Sequence, residues 1–199
     1  MSANTAIKAA SMTLQKLLQD AINTEFPFPA IAPAVSLNTP KEMKAGKGVS
    51  LWLYRVVRDE FLTNQPPERT KPNEQRRTPL PVRLHYLVTP LMGDDPETEQ
   101  QLLGKVLQVL FDHPVLRGVD LQGGLDPATV ELRVFLETLS LEEITRVWNA
   151  LNSDTGYQLC VSYEVQVVEI ESALPPEPVI PVIELDARYH VIVGAVPAT

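Results

Sequence analysis

Residues 80–113 read LPVRLHYLVTPLMGDDPETEQQLLGKVLQVLFDH, and the fold turns on this stretch. Val82, Leu84, Tyr86 and Val88 share one parity, while Arg83, His85 and Thr89 take the other. That is the period of a strand with one buried face. A turn is predicted at Met92-Gly93-Asp94. Asp95 is placed to accept a hydrogen bond from the first free helical N–H groups, and Pro96 suits the first helical position, where its missing N–H costs nothing. Glu97 and Glu99 favour the positive end of the helix dipole. Leu103, Val106, Leu107, Leu110 and Phe111 recur at three- and four-residue spacing and make one apolar stripe. Pro114 stops the helix. The stretch is a strand–turn–helix unit whose helix lies back on the strand's apolar face.

Upstream, Ala10, Leu14, Leu18, Ala21 and Ile22 form a helical stripe, which Pro27 ends by disfavouring helical geometry at Phe26. Residues 31–38 predict a short edge strand, because Pro33 lacks a ladder donor. Residues 49–58, VSLWLYRVVR, predict a strong strand rich in aromatic and β-branched residues. The two are expected to form a hairpin across the polar turn at 41–48. Residues 62–79 hold four prolines and almost no apolar side chain. They predict a long connection, either a solvated loop or a docking loop that carries Arg69, Lys71, Arg76 and Arg77 toward an acidic partner.

Downstream, residues 115–130 read as irregular, with turn chemistry at Gly123-Gly124 and Asp126-Pro127. Residues 130–138 alternate, with Val130, Leu132, Val134 and Leu136 on one face. Ser140-Leu141-Glu142-Glu143 is a capping box, and Ile144, Val147, Trp148 and Leu151 supply the apolar face of a short helix. Residues 157–170, YQLCVSYEVQVVEI, give the longest strand signal. From 174 onward the prolines Pro175, Pro176, Pro178 and Pro181 predict a stiff, extended spacer. They bar residues 174–183 from a central sheet. The aliphatic run beyond them is a candidate strand that needs a partner. At about 3.3 Å per residue the 26 residues from 174 reach on the order of 80 Å. They either fold back on their own domain or reach a partner, and we favour the reach, with Ala187 to Val193 adding a strand to an open edge.

The fold class is therefore α+β. A mixed, mainly antiparallel sheet of about five strands has helices packed on one face, in a domain over 1–173. A Pro-rich linker and extended C-terminal arm follow over 174–199. Length, a hydrophobic content of 44% and a charged content of 21% suit one globular domain. The single cysteine, Cys160, excludes an internal disulfide and fits a reducing compartment or a fold that needs no bridges. No apolar run is long enough to span a membrane, and the N-terminus has no secretory pattern.

A net charge of −8 argues against general nucleic-acid binding. Ten Lys or Arg stand between Lys41 and Arg83, against five Asp or Glu. Six carboxylates and no Lys or Arg stand between Leu159 and Ala187, among them Glu164, Glu169 and Glu171. These are two solvated faces or two complementary surfaces for self-association.

The sequence holds no phosphate loop, no dinucleotide fingerprint, no HExxH, no cysteine pair at metal spacing and no nucleophile elbow. His85, His113 and His190 lie on a strand, at a helix end and in the tail, so no catalytic, cofactor or metal site is assigned. His85 is expected to be a half-exposed sheet residue. Cys160 has no basic neighbour to activate it. Trp52 and Trp148 are expected to fill core or interface space.

Three pieces in order carry a resemblance: the polar Pro-rich loop with PLPVRLHYLVTPL, the acidic turn and helix DDPETEQQLLGKVLQVLFDHP, and LSLEEITRVWNAL followed by YQLCVSYEVQVVEI. Over residues 5–172 the chain resembles the cap, or tube-terminator, proteins of phage-tail-like contractile injection systems. The resemblance implies a structural protein and not an enzyme. It implies a ring-shaped homo-oligomer, usually six-fold, on the last layer of the inner tube that also engages the end of the sheath. Partners would be other copies of itself, the tube protein, the sheath protein and, as larger members carry a further C-terminal domain, a second cap protein. It would be a cytoplasmic protein built into the particle. Candidate interface residues are Arg69, Lys71, Arg76 and Arg77 on the basic side and Glu164, Glu169 and Glu171 on the acidic side. Arg188, Tyr189, Val191 and Val193 are the candidates in the arm. The alternatives are a connector domain of another phage-tail-like complex, or a metabolic enzyme with an unrecognised site.

Overall fold

The alternating face of the central strand is buried as the sequence predicts, but so is the other face. The computed structural model describes residues 3–25, 33–43, 47–63, 66–67, 69–71, 73–93, 95–151 and 156–179. The helices are α1 (Ala6–Glu25), α2 (Pro96–Asp112) and α3 (Leu141–Leu151). The strands are β1 (Ala34–Ser36), β2 (Gly48–Arg58), β3 (Arg69–Lys71), β4 (Glu74–Gln75), β5 (Leu80–Leu91), β6 (Val115–Arg117), β7 (Glu131–Glu137), β8 (Val161–Ile170) and β9 (Glu177–Pro178). Six strands form the main sheet in the order β1-β2-β5-β8-β7-β6, and β3, β4 and β9 form a small second sheet. The class is α+β with a mainly antiparallel sheet.

The strand–turn–helix unit forms as read. Asp95 caps α2 by accepting from the Thr98 N–H at 3.0 Å, with Pro96 at the first helical position. Leu84, Tyr86 and Val88 pack with Leu14, Leu18 and Ile22 of α1 and with Leu102, Val106 and Leu110 of α2. Each such aliphatic side chain, fully buried, contributes about 2 kcal/mol. Tyr86 is fully buried, and its hydroxyl lies 2.8 Å from the Ser11 hydroxyl of α1, which satisfies both groups. Burial pushes the Tyr86 phenol up to about 12, against the bond to Ser11 that lowers it.

The third helix departs from the one-sided arrangement. Trp148 of α3 packs with Leu87 and Cys160, and Trp52, Tyr54, Ile144, Val147 and Leu151 surround them. Leu87 has the opposite parity to Tyr86, so α3 covers the other face of the sheet. The amphipathic stripe of a helix shows that it packs, not which side of a sheet it meets. With both faces covered, His85 is only 5% exposed, contrary to the half-exposed expectation. The capping box is present: the Ser140 N–H donates to Glu143 at 2.9 Å and the Glu143 N–H to Ser140 Oγ at 3.3 Å.

Three further expectations change. β1 and β2 pair in parallel, Val35 opposite Val49, and do not form a hairpin. β2 therefore starts beside the start of β1, Gly48 opposite Ala34. A Cβ at Gly48 would fall 2.0 Å from the Ala34 carbonyl oxygen, so only glycine admits that approach. The outer edge of β1 is covered by α1. The Val35 N–H donates to Gln19 Oε1 at 2.7 Å, and Gln15 Nε2 donates to the Val35 carbonyl at 2.8 Å.

The connection over 62–79 contains β3 and β4. Part of 115–130 forms β6, a three-residue strand too short to alternate visibly, paired with β7. β9 pairs Glu177 with Gln75 and Pro178 with Glu74, so the first residues assigned to the arm lie on the domain itself, outside the main sheet. Pro178 sits in an edge strand, where its missing donor is tolerated. The end of α1 at Pro27 and the arm beyond Val179 lie outside the described residues.

Leu84→Ala is expected to cost about 2–5 kcal/mol, since it opens a cavity where both helices meet β5. Tyr86→Phe removes one buried hydrogen bond and should cost about 1 kcal/mol. Denaturant titration of the two variants checks the contrast, and equal losses would contradict this account of the core.

Candidate functional site

The face of the sheet under α3 carries the densest buried polar group among the described residues. Three neighbouring strands and the end of β7 each contribute a side chain of the parity that points away from α1 and α2. Glu137 Oε2 accepts from the Ser162 hydroxyl at 2.7 Å and from the Tyr54 hydroxyl at 3.3 Å, and lies 3.1 Å from His85 Nδ1. An ionised carboxylate only accepts, so the contact places the proton on Nδ1. Beside it Glu164 accepts from Gln166 at 2.7 Å and from Arg83 at 3.4 Å. Arg83 Nε in turn lies 3.8 Å from the buried Asp59.

Burial raises the Glu137 carboxyl, but bonds from Ser162 and His85, the imidazole charge and the bond from Tyr54 outweigh it and hold the group below the usual glutamate value. Burial pushes the Tyr54 phenol up, and the neighbouring Glu137 adds to that, against the bond to Ser162.

Donor atoms of His85, Glu137 and Glu164 all lie within 4.8 Å of one another, the spacing of a metal ligand set. The chemistry of the set speaks for another use. The Glu137 oxygen already receives its donors, and the Arg83 guanidinium supplies the positive charge beside Glu164. Ser162 and His85 converge on the same carboxylate oxygen and not on each other, so the histidine does not face the hydroxyl as a base would in nucleophilic catalysis. The array cross-links β2, β5, β7 and β8. Cys160 is buried, accepts from Trp148 Nε1 at 3.3 Å, and is pushed up by burial, the opposite of an activated thiol.

The charged residues picked from sequence fall in two places. Arg69 and Lys71 lie on β3, where Lys71 pairs with Glu74 at 3.1 Å. Arg76 and Arg77 follow β4, and Arg77 pairs with Glu177 of the same chain at 2.6 Å, both side chains more than half exposed. Arg76 is exposed. Glu164 belongs to the polar array, Glu169 is exposed on β8, and Glu171 is half-buried just after it. The basic and acidic segments thus meet within one molecule, through β5–β8 and β4–β9. Arg188, Tyr189, Val191 and Val193 lie outside the described residues.

Sequence reading missed Glu137, Ser162 and Tyr54. The signal was available: each is a polar side chain on the non-core parity of a strand that is otherwise apolar. Phe111, placed on the core stripe of α2, is instead 83% exposed, because the stripe outlasts the sheet it covers.

Fold and site together define an α+β domain with a cross-linking polar array on the α3 side of its sheet. The family model described as the Pvc16 N-terminal domain matches residues 9–184, and the chain belongs to that family. Two solved structures are similar. One is the PVC sheath/tube terminator of an extracellular contractile injection system in the extended state. It has a TM-score of 0.64 at 15% identity, covering 95% of this chain and 65% of that one. The other is the tube-terminating cap of the anti-feeding prophage, with a TM-score of 0.59 at 20% identity, covering 90% of this chain and 60% of that one. This chain therefore spans less than two thirds of the length of either. No curated protein sequence matches it.

The depressed carboxyl of Glu137 sets a pH dependence. Its contribution is complete above the ordinary value of 4.5 and is lost as pH falls below that through the lower folded value. Glu137→Gln should remove this part of the acid limb and cost on the order of 1–2 kcal/mol at neutral pH, from the weakened bonds of Ser162 and His85. Stability measured from pH 7 to pH 3 tests it: an acid limb of the same depth in the variant would show that the carboxylate does not carry the effect.

Proposed function

We propose that this chain is a structural cap. Copies close into a ring, a hexamer, on the last layer of the inner tube of a contractile injection system, engage the end of the sheath and stop polymerisation. The observation that carries the reading is the family match over residues 9–184, supported by two solved neighbours that are themselves a sheath/tube terminator and a tube-terminating cap. The reading is of a structural and not a catalytic protein, built into the particle, with the tube protein, the sheath protein and a second cap protein as partners. No described helix is long and apolar enough to cross a membrane. A ring needs a heterologous interface that closes. Arg69, Lys71 and Arg76 supply one side, Glu169 and Glu171 the other, and the arm with Arg188, Tyr189, Val191 and Val193 reaches beyond its own domain.

The test mixes the purified chain with tube subunits and images the ends. Closed rings seated on tube ends are expected. A chain that stays strictly monomeric and never caps a tube, in low salt and at high concentration, overturns the proposal.

Reversing Arg76 and Arg77 to Glu should weaken ring formation while the thermal midpoint barely moves. The Arg77–Glu177 pair is exposed, and such pairs contribute little to stability. Sedimentation together with thermal melting reads both quantities. A large drop in the midpoint with assembly intact would make the two arginines structural.

A further inference from the structure

Phe111 in the last turn of α2 is 83% exposed, and Phe135 and Leu136 of β7 are 46% and 57% exposed. With Leu107, Pro114 and Val134 they line an open groove of about 670 Å³. Apolar surface gathered in this way marks a contact site more often than a solvated face.

The groove runs beside a free strand edge. β6 covers β7 only from Glu131 to Arg133. The Val134 N–H extends that side by donating to the Pro114 carbonyl at 2.8 Å. Backbone groups in an antiparallel strand alternate between the two sides. Leu136, two residues beyond Val134, therefore turns its N–H and C=O to the same outer side. Among the described residues neither group has a hydrogen-bond partner. A bare edge bordered by apolar side chains is a template for an added strand.

We propose that this edge and groove receive residues 187–193, ARYHVIV, from a neighbouring copy of the chain. The proposal rests on the ring reading and assigns the segment its seat. Tyr189, Val191 and Val193 share one parity, so an added strand turns three apolar faces to the groove while Arg188 and His190 stay on the other side. Beyond Val179, 20 residues remain, and Val182, Ile183, Leu185, Val191, Ile192 and Val193 among them need apolar cover.

The last described residue and the groove lie at different levels of the sheet. Val179 is held by its N–H on the Asn73 carbonyl at 2.8 Å, past the Ile170 end of β8. The groove lies at Tyr163, toward the other end of that strand. Seven residues of strand separate the two levels, about 24 Å. The eight steps from Val179 to Ala187 span about 26 Å when extended, so the distance admits either donor; the ring reading, whose interface is head to tail, assigns it to the neighbouring copy.

The test uses the full chain in a Cys160→Ala background. One preparation carries Leu136→Cys and the other Val191→Cys. They are mixed, the oligomer is isolated by size, and it is oxidised. Leu136 is on the surface, so its substitution leaves the core intact. A disulfide between the two kinds of chain should be the dominant product, several-fold above a control in which Asn149→Cys on the exposed side of α3 replaces Leu136→Cys. A second pairing, with Val193→Cys, covers a two-residue shift in register. Oligomers in which neither pairing exceeds the control overturn the docking proposal and leave the ring standing. A third preparation carries Leu136→Cys and Val191→Cys in one chain; a link found only within such chains, and not between the mixed ones, overturns donation between copies. Failure to assemble at all, read from size before oxidation, sinks the ring and this proposal together.

Discussion

β5 has partners along both edges and cover on both faces, and most of the structure follows from that. It pairs with β2 on one side and β8 on the other, and from Leu84 to Leu91 every side chain is buried. A strand so placed cannot leave its polar side chains to water. Tyr86 is met by Ser11 of α1, and His85 by Glu137 of β7. Thr89 Oγ1 has no partner among the described residues. The requirement fixes neighbours as well as satisfying groups. α1 must present Ser11 where it does, and the end of β7 must bring Glu137 across β8 to reach β5. Register irregularities in both pairings, at Leu53/Arg55 and at Val82/Leu84, fall beside this array and adjust which side chains reach it.

Local grammar was legible in the sequence, and long-range partnership was not. The Asp95 cap, the Ser140–Glu143 box and the alternation of β5, β7 and β8 depend on residues a few positions apart, so each could be read where it stood. The parallel pairing of β1 could not. Its direction is set by Gln15 and Gln19 of α1, which take the outer edge of β1, and by the space at Gly48, none of which shows in the periodicity of 31–58. The side chosen by α3 was hidden for a related reason. Trp52, Tyr54 and Leu87 sit on the parity that reads as polar in β5 and as plain strand chemistry in β2. They show a second apolar face only once the strands are laid side by side. Of the candidate site residues, the sequence found the charges and missed their pairing within one chain.

In the polar array under α3 the donors to Glu137 all come from the protein's own sheet. Catalytic groups are held ready for a substrate, with donors and acceptors left for it. Here the Glu137 carboxylate is held in its charged form by three donors from its own sheet, and the Cys160 thiol is held in its neutral form by burial. The Glu137 contacts tie β7 to β5 and β2, with which it shares no ladder, and the Cys160 contact ties the start of β8 to α3.

Charge and apolar surface then divide the outer work. Opposite charges that lie far apart in sequence meet within one molecule, Arg83 on Glu164 and Arg77 on Glu177. A pair already closed within a chain has less to gain from a neighbour, and exposed pairs contribute little in any case. The charge asymmetry of the sequence is therefore a weak guide to any contact between copies. Apolar side chains without cover are a stronger one. Phe111, Phe135 and Leu136 gather at the one stretch of β7 that β6 is too short to reach. Shortening an edge strand usually protects a sheet from pairing with other chains. Here β6 stops at Arg133, and among the described residues no strand pairs with β7 on that side where the last turn of α2 brings up an exposed aromatic ring. An edge and an apolar wall built side by side accept one kind of ligand well, an extended chain with apolar residues at alternate positions.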